Sequence, residues 1–260
     1  MLTAEVIAAE VRCRHEGPSW SETEPVDRLG MVLVRSGLFR REVDGAEAVV
    51  DVCSGYVQRP ASEERFAHPA GDDVCTFVSL PGSEYEAVTR GTVLTADAPV
   101  LTTPAVDIRH RALVARSYAG AGADELAERA VVLVGSVLAG LLPDAVAAAF
   151  PSAGPARRVV DDVRQVLAKD PGAPLQELAG AAGLSSYHVS RVFRRTTGVT
   201  ISAFRSRLRV RRALEQLAGG QRDLARLAAE TGFADQAHLT RSVRRETGST
   251  PAQLRTLLGP

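Results

Sequence analysis

The stretch "GLSSYHVSRVFRRTTG" (Gly183–Gly198) returns in altered form as "GFADQAHLTRSVRRETG" (Gly232–Gly248), and the two copies together decide the fold of the C-terminal half. From Val189/Leu239 through Arg205/Arg255 the copies align without a gap at an offset of 50, with seven identical pairs in seventeen. Those pairs are Arg191/Arg241, Arg194/Arg244, Arg195/Arg245, Thr197/Thr247, Gly198/Gly248, Thr200/Thr250 and Arg205/Arg255. Upstream of each copy lies a short Ala/Leu segment, "LQELAGAAGLS" and "DLARLAAETGFAD". Each ends in a glycine (Gly183, Gly232) where a helix stops in a left-handed conformation. Leu184 and Phe233 are expected to fill the corner that follows, and Ser185 and Asp235 to cap the next helix.

In that second helix Val189, Val192 and Phe193 fall on one side, as Leu239 and Val243 do in the copy. Tyr187, Ser190, Arg191 and Arg194 fall on another at i, i+3, i+4 and i+7, matched by Ala237, Thr240, Arg241 and Arg244 with Gln236 just before. An apolar stripe that docks the helix and a polar stripe left outside fit a helix-turn-helix whose second helix enters a major groove. Arg191 and Arg241 are the first candidates for bidentate pairing with guanine, Gln236 for adenine, and Tyr187, Ser190 and Thr240 for further base contacts. Arg194, Arg195, Arg244 and Arg245, later in their helices, suit phosphates, which fix register without reading sequence. For any one arginine alone, a solvated surface charge is an equal explanation; the matched set in two capped helices is what favours recognition.

Charge is distributed to the same effect. The 31 basic and 31 acidic residues cancel only in sum. Met1–Gly154 holds 13 Arg against 22 Asp and Glu, a balance of −9, and Pro155 onward holds 17 Arg and one Lys against 9 acids, +9. A basic half beside an acidic half is the footprint of a DNA or RNA partner, although an arginine-rich solvated surface would give the same count. Between the copies, "TISAFRSRLRVRRALEQLA" (Thr200–Ala218) predicts one long helix from an N-cap at Thr200 to a stop at Gly219-Gly220. Such a helix would hold two reading heads on adjacent groove faces about one DNA turn, ~34 Å, apart.

These residues resemble the AraC/XylS family of bacterial transcription regulators. The resemblance rests on "LQELAGAAGLSSYHVSRVFRRTTG", "FRSRLRVRRALEQLA" and "LAAETGFADQAHLTRSVRRETGSTPAQLR", roughly the last hundred residues. Val243 stands where the family usually has an aromatic and Leu254 where Tyr is common, so a looser core is expected in the second unit. The resemblance implies an N-terminal cupin-like sensor, a small β-barrel followed by dimerisation helices, in front of an all-α double helix-turn-helix domain. The expected class is therefore α+β multidomain. Expected boundaries are 1–150 for the sensor, 151–156 for the linker and 157–260 for DNA binding, with units at about 174–198 and 222–248. It further implies an activator or repressor, acting as a homodimer in the bacterial cytoplasm under a small-molecule or metal effector, with RNA polymerase as a candidate partner.

The N-terminal half supports that outline from its own pattern. "MVLVR" (Met31–Arg35), "EAVVDV" (Glu47–Val52) and "VCTFVSL" (Val74–Leu80) read as strands between turn signals at Asp44-Gly45, Arg59-Pro60 and Ala70–Asp73. From about Asp107 the period becomes helical. One helix is expected to end at Gly120 or Gly122 and a second to start at an Asp124 cap and stop near Pro143. Leu126, Ala130, Leu133, Val137 and Leu141 form its apolar face and are the candidate dimer interface. "AVVLVGSVLAGLL" (Ala130–Leu142) is too short to span a bilayer, and "MLTAEVIAAEVR" is not a signal peptide.

Three cysteines suggest no disulfide framework. Cys53, His68 and Cys75 would give three ligands to a zinc-like ion if the strands brought them together. Cys13-x-His15 is a further pair. The same thiols would serve as redox sensors if their pKa were lowered, or merely as small buried hydrophobes. A metal- or redox-responsive regulator is thus the alternative to a small-molecule-responsive one. A third reading, a cupin-type enzyme with a helical targeting module, lacks an H-x-H…E…H set between residues 30 and 80. It also lacks any Ser/His/Asp grouping or phosphate-binding glycine loop, so no catalytic residue is assigned. His110 is expected on a helix surface or at an interface.

Overall fold

Short β-branched runs separated by tight turns pair locally, and here they do so in two antiparallel sheets. The structure is a computed structural model that describes residues 6–14, 18–80, 99–139 and 154–259. The first sheet has the order β1 (Ile7–Cys13), β8 (Asp73–Ser79), β3 (Gly30–Ser36), β6 (Ser54–Gln58) and β9 (Val100–Leu101). The second has the order β2 (Glu24–Pro25), β7 (Glu63–Ala67), β4 (Leu38–Val43) and β5 (Ala46–Asp51). The three expected strands are β3, β5 and β8. The barrel expected around them is realised as two sheets that do not close into one. At Asp44-Gly45 both residues have positive φ (48° and 82°), the two-residue turn whose twist matches a β-hairpin, and it joins β4 to β5.

Strands β4 and β7 escape a search for apolar alternation because charge faces inward. Arg41 of β4 and Glu64 of β7 are each 1% exposed and form an ion pair, with the Arg41 guanidinium stacked 4.2 Å over the Tyr56 ring. Gln58 donates to the second oxygen of Glu64 at 2.9 Å, so the buried carboxylate is satisfied on both sides.

Two helices cover the first sheet. Helix α1 (Pro104–Tyr118) starts from a Thr103 cap and α2 (Ala123–Ala139) follows Gly120. Asp124 lies in the first turn of α2 rather than at its cap, since Leu126 already donates to Gly122. Ala130, Leu133 and Val137 pack with Leu33, Val57 and Val78 inside the chain's own core. This corrects the dimer-interface expectation: that apolar face, with Leu126 partly buried beside it, is taken up by the first sheet. Leu141 and Pro143 lie outside the described residues.

Seven helices follow: α3 (Pro155–Lys169), α4 (Leu175–Ala181), α5 (Ser186–Thr197), α6 (Ile201–Ala218), α7 (Leu224–Glu230), α8 (Gln236–Thr247) and α9 (Pro251–Leu258). They do not hang from the β-rich part on a string. One apolar cluster joins Val34, Phe39 and Tyr56 of the sheets to Val163, Leu178 and Phe193 of the helices. Another joins Ala112 of α1 to Leu214, Leu227, Leu239 and Leu258.

The polar contacts between the halves are buried too. Arg164 of α3, 0% exposed, donates to Asp51 Oδ2 (2.8 Å), the Val49 carbonyl (2.9 Å) and Ser54 Oγ (2.8 Å). Arg211 of α6 donates to the Thr102 carbonyl at 2.9 Å, and Glu215 accepts from Arg111 and from Arg35. Burial alone would raise the Glu215 carboxyl, but Arg111 and Arg35 outweigh it and hold its pKa below the ordinary value.

Removing one member of a buried ion pair strands the other in a dry site, at about 3–5 kcal/mol. Asp51→Ala should therefore cost that much in denaturant unfolding, whereas Asp27→Ala, beside the exposed Arg28, should leave the unfolding midpoint nearly unchanged.

His110 is not on a surface. It is 2% exposed, with Nε2 2.7 Å from Thr76 Oγ1, because α1 presses this face onto the first sheet. Burial first, then Arg111 and Arg35, lowers its pKa from 6.5 to about 3. The unfolded chain therefore takes up a proton that the folded chain refuses. The stability involved is fully present above pH 6.5 and is lost as pH falls toward 3, by at most about 1.4 kcal/mol per unit. His110→Gln should flatten this acid slope, read as a smaller difference in Tm between about pH 7 and about pH 5 than the unaltered chain shows.

Candidate nucleic-acid interface

Each half of the repeat builds the same helix-turn-helix from the same local devices. Helix α4 ends as Leu184 N–H donates to the Ala179 carbonyl at 2.9 Å with Gly183 at φ +63°, and α7 ends as Phe233 donates to Ala228 at 2.9 Å with Gly232 at φ +78°. Ser185 then caps α5 by accepting from His188 N–H, and Asp235 caps α8 by accepting from His238 N–H at 2.6 Å. Both recognition helices stop at left-handed glycines, Gly198 (φ 74°) and Gly248 (φ 76°). In each, the preceding threonine donates back to the fourth carbonyl upstream: Thr197 to Phe193 and Thr247 to Val243, both 2.8 Å. Thr200 and Thr250 cap the helices that follow. The repeat is therefore a repeat of hydrogen bonds as much as of residues.

The corner residues differ. Phe233 is buried against His238, whereas Leu184 is 37% exposed and only half fills its corner. Val243 and Leu254, the two departures expected to loosen the second unit, are 0% and 1% exposed and pack inside it.

Val189 and Phe193 bury one side of α5, and Leu239, Ser242 and Val243 one side of α8. The other side faces outward in both. On α5, Tyr187 (69% exposed), Arg191, Arg194 and Arg195 are exposed and Ser190 is half-buried. On α8, Gln236, Arg241, Arg244 and Arg245 are exposed and Thr240 is half-buried. Arg245 also reaches Ser206 Oγ of α6 at 3.1 Å, which steadies it toward one direction. Tyr187, Ser190, Arg191 and Arg194 line an open groove that continues onto Ile201 and Arg205 at the start of α6.

Not every arginine of the basic half serves this face. Arg164 and Arg211 are buried in contacts with the β-rich part, and Arg212 and Arg205 donate to the carbonyls of Ala168 and Ala173 behind the first unit. The outward positive charge is smaller than the residue count implies, and it is concentrated on α5 and α8.

The sulfur and imidazole groups regroup. Cys53 lies in the β5–β6 turn, where its N–H donates to Asp51 Oδ1 at 2.8 Å. Among the described residues, Cys53, His68 and Cys75 form no common ligand set; His68 instead joins Cys13 and Asp73. Sequence reasoning missed Asp73 by treating it as a turn residue, while pairing of β1 with β8 sets it opposite Cys13. Burial raises all three thiols, Cys13 to about 11 and Cys53 to about 12 with Cys75 also pushed up, opposite to the lowering a redox sensor needs. His15 lies outside the described residues.

Comparison with known proteins bears on the helical half. Residues 178–256 match the family described as a helix-turn-helix domain. Over 104 residues the chain is 36% identical to the HTH-type transcriptional regulator RipA of Corynebacterium glutamicum, covering 39% of this chain and 31% of RipA. It is 27% identical over 104 residues to the probable transcription factor PqrA of Proteus vulgaris, covering 38% of this chain and 85% of PqrA. ToxT from Vibrio cholerae aligns over 98% of both chains at 10% identity with a TM-score of 0.40.

The matched region and the two capped reading helices define a double helix-turn-helix, a class of domain that binds double-stranded DNA. No described helix is long and apolar enough to cross a membrane.

Loss of a side-chain cap costs about 0.5–2 kcal/mol. Ser185→Ala and Asp235→Ala should each lower stability by that amount, while Ser185→Asp should hold it near the original value in the same unfolding measurement.

Proposed function

We propose that the chain is a sequence-specific DNA-binding transcription regulator of the AraC/XylS type, working in the bacterial cytoplasm under control of an effector bound by its N-terminal domain. The observation that carries this reading is the pair of reading helices, α5 and α8, capped alike, exposed alike and joined by the single helix α6. Arg191 and Arg241 are the base readers, with Tyr187 and Ser190 beside the first and Gln236 and Thr240 beside the second. Arg194, Arg195, Arg244 and Arg245 hold phosphates.

Effector control is supported by how the halves meet. A cleft between them is lined by Arg12, Arg35, Arg111 and Tyr118 on the N-terminal side and by Glu215 and Leu258 on the DNA-binding side. A ligand seated there touches α6 directly, and Glu215 already exchanges contacts with Arg35 and Arg111. A small shift on the N-terminal side is thus transmitted to the helix that spaces the two reading heads.

Fluorescence anisotropy with genomic promoter fragments tests this. Binding should prefer particular fragments and weaken steeply with salt, as counterion release requires. Arg191→Ala and Arg241→Ala should each relax specificity by about 1–3 kcal/mol, at different positions of the site. Arg194→Ala should weaken all fragments alike and reduce the salt slope by about one. Binding that is indifferent to salt and to fragment would remove the proposal.

A further inference from the structure

The antiparallel register of β1 and β8 sets Cys13 opposite Asp73, so their side chains leave the same face of the sheet. His68, in the turn between β7 and β8, folds back over them. Its Nδ1 meets Asp73 Oδ2, and the turn is closed by Gly71, at φ +87°, whose N–H donates to the His68 carbonyl at 3.1 Å. The His68 ring is held from its other side by Phe39, with centroids 5.8 Å apart. One ligand atom each of Cys13, His68 and Asp73 lies within 4.8 Å of the other two.

A thiol, an imidazole and a carboxylate are a ligand set for a borderline-soft cation. Around a tetrahedral zinc-like ion, with bonds of about 2.0–2.3 Å, such donors sit about 3.3–3.6 Å apart. The three ligand atoms lie within 4.8 Å of one another, so an ion would draw Cys13 inward and part His68 Nδ1 from Asp73 Oδ2, which are in direct hydrogen-bond contact. His68 and Asp73 are 7% and 2% exposed, while Cys13 at the strand end is half-buried, so the group is dry on one side and reachable on the other. The outer shell is in place as well. The Cys75 thiol lies 3.5 Å from Asp73 Oδ1, where it can donate to the oxygen that His68 leaves unused.

We propose that Cys13, His68 and Asp73 form a site for a thiophilic divalent cation of the zinc class, with the fourth position left to water. Binding is a ligand exchange without redox change: the cation takes the place of the Cys13 thiol proton, which passes to solvent, and the hydrogen bond between His68 and Asp73 gives way to contacts with the ion. The site is independent of the reading of DNA. It does, however, share β1 with Glu10, which pairs with the same Arg35 that holds Glu215 of α6.

Full-length protein, free of any histidine tag and stripped by chelator, is titrated with Co²⁺ as a spectroscopic stand-in and then with Zn²⁺. The expected result is saturation at one equivalent, with a near-ultraviolet thiolate-to-cobalt charge-transfer band and visible bands of tetrahedral strength, all abolished by competing Zn²⁺. Cys13→Ser should lose the charge-transfer band, and Cys75→Ala should weaken binding by about 10–100-fold, the usual effect of removing an outer-shell partner. Cys53→Ser, which alters a thiol elsewhere, should leave the spectrum unchanged, and circular dichroism of each variant establishes that it is folded. No saturable band, or a band that survives in folded Cys13→Ser, overturns the proposal.

Discussion

The guanidinium of Arg164 reaches from the first helix of the DNA-binding half into the β5–β6 turn and finds a carboxylate, a carbonyl and a hydroxyl waiting. Removing this cation from water costs several kcal/mol, and one Coulomb contact rarely returns all of it. What makes the arrangement tenable is that Asp51 is itself placed by the Cys53 amide and that each of three guanidinium nitrogens has a partner. Such a contact adds little net stability over an apolar one, but it tolerates only one geometry. Apolar packing from Val34 and Phe39 to Val163 and Phe193 supplies the adhesion; Arg164 supplies the register. The second unit is held in the same manner, by Arg211 on Thr102 and by Glu215 between Arg35 and Arg111, over the apolar cluster that includes Ala112.

The orientation of each reading helix is therefore set twice. Inside the DNA-binding half it follows from caps and glycine stops that repeat down to the hydrogen bond. Between the halves it follows from buried charges on α3 and α6. The first set is local and insensitive to anything bound far away. The second set lies along the cleft lined by Arg35, Arg111 and Glu215, where the two halves meet.

What the sequence made legible follows the same division. Ser185, Asp235, Thr200, Gly183 and Gly232 act within a few residues of themselves, and their roles were readable because the partner of each is fixed by chain geometry. Arg164, Arg211 and Arg41 were not readable as interior residues, because composition identifies a charge but not the distant carboxylate that permits its burial. Counting Arg164 and Arg211 with the outward-facing arginines of α5 and α8 inflated the basic surface. The apolar face of α2 misled for the opposite reason: periodicity finds a face that must be covered, and the cover proved to be the first sheet rather than a second copy. Cys53 was grouped with His68 and Cys75 on residue type alone, whereas the β1–β8 register, invisible without pairing, gives His68 its neighbours Cys13 and Asp73.

Helix α6, eighteen residues from Ile201 to Ala218, is about 27 Å long, and it fixes an angle as firmly as a distance. Each added residue would advance the second unit by only about 1.5 Å but swing it by about 100° about the helix axis. A double helix of DNA presents its grooves at a fixed phase, so a protein with two rigid heads must match that phase in its own screw. The connecting helix is thus a piece of gearing, in which substitutions alter fit by degrees while a single insertion or deletion throws the teeth out of mesh.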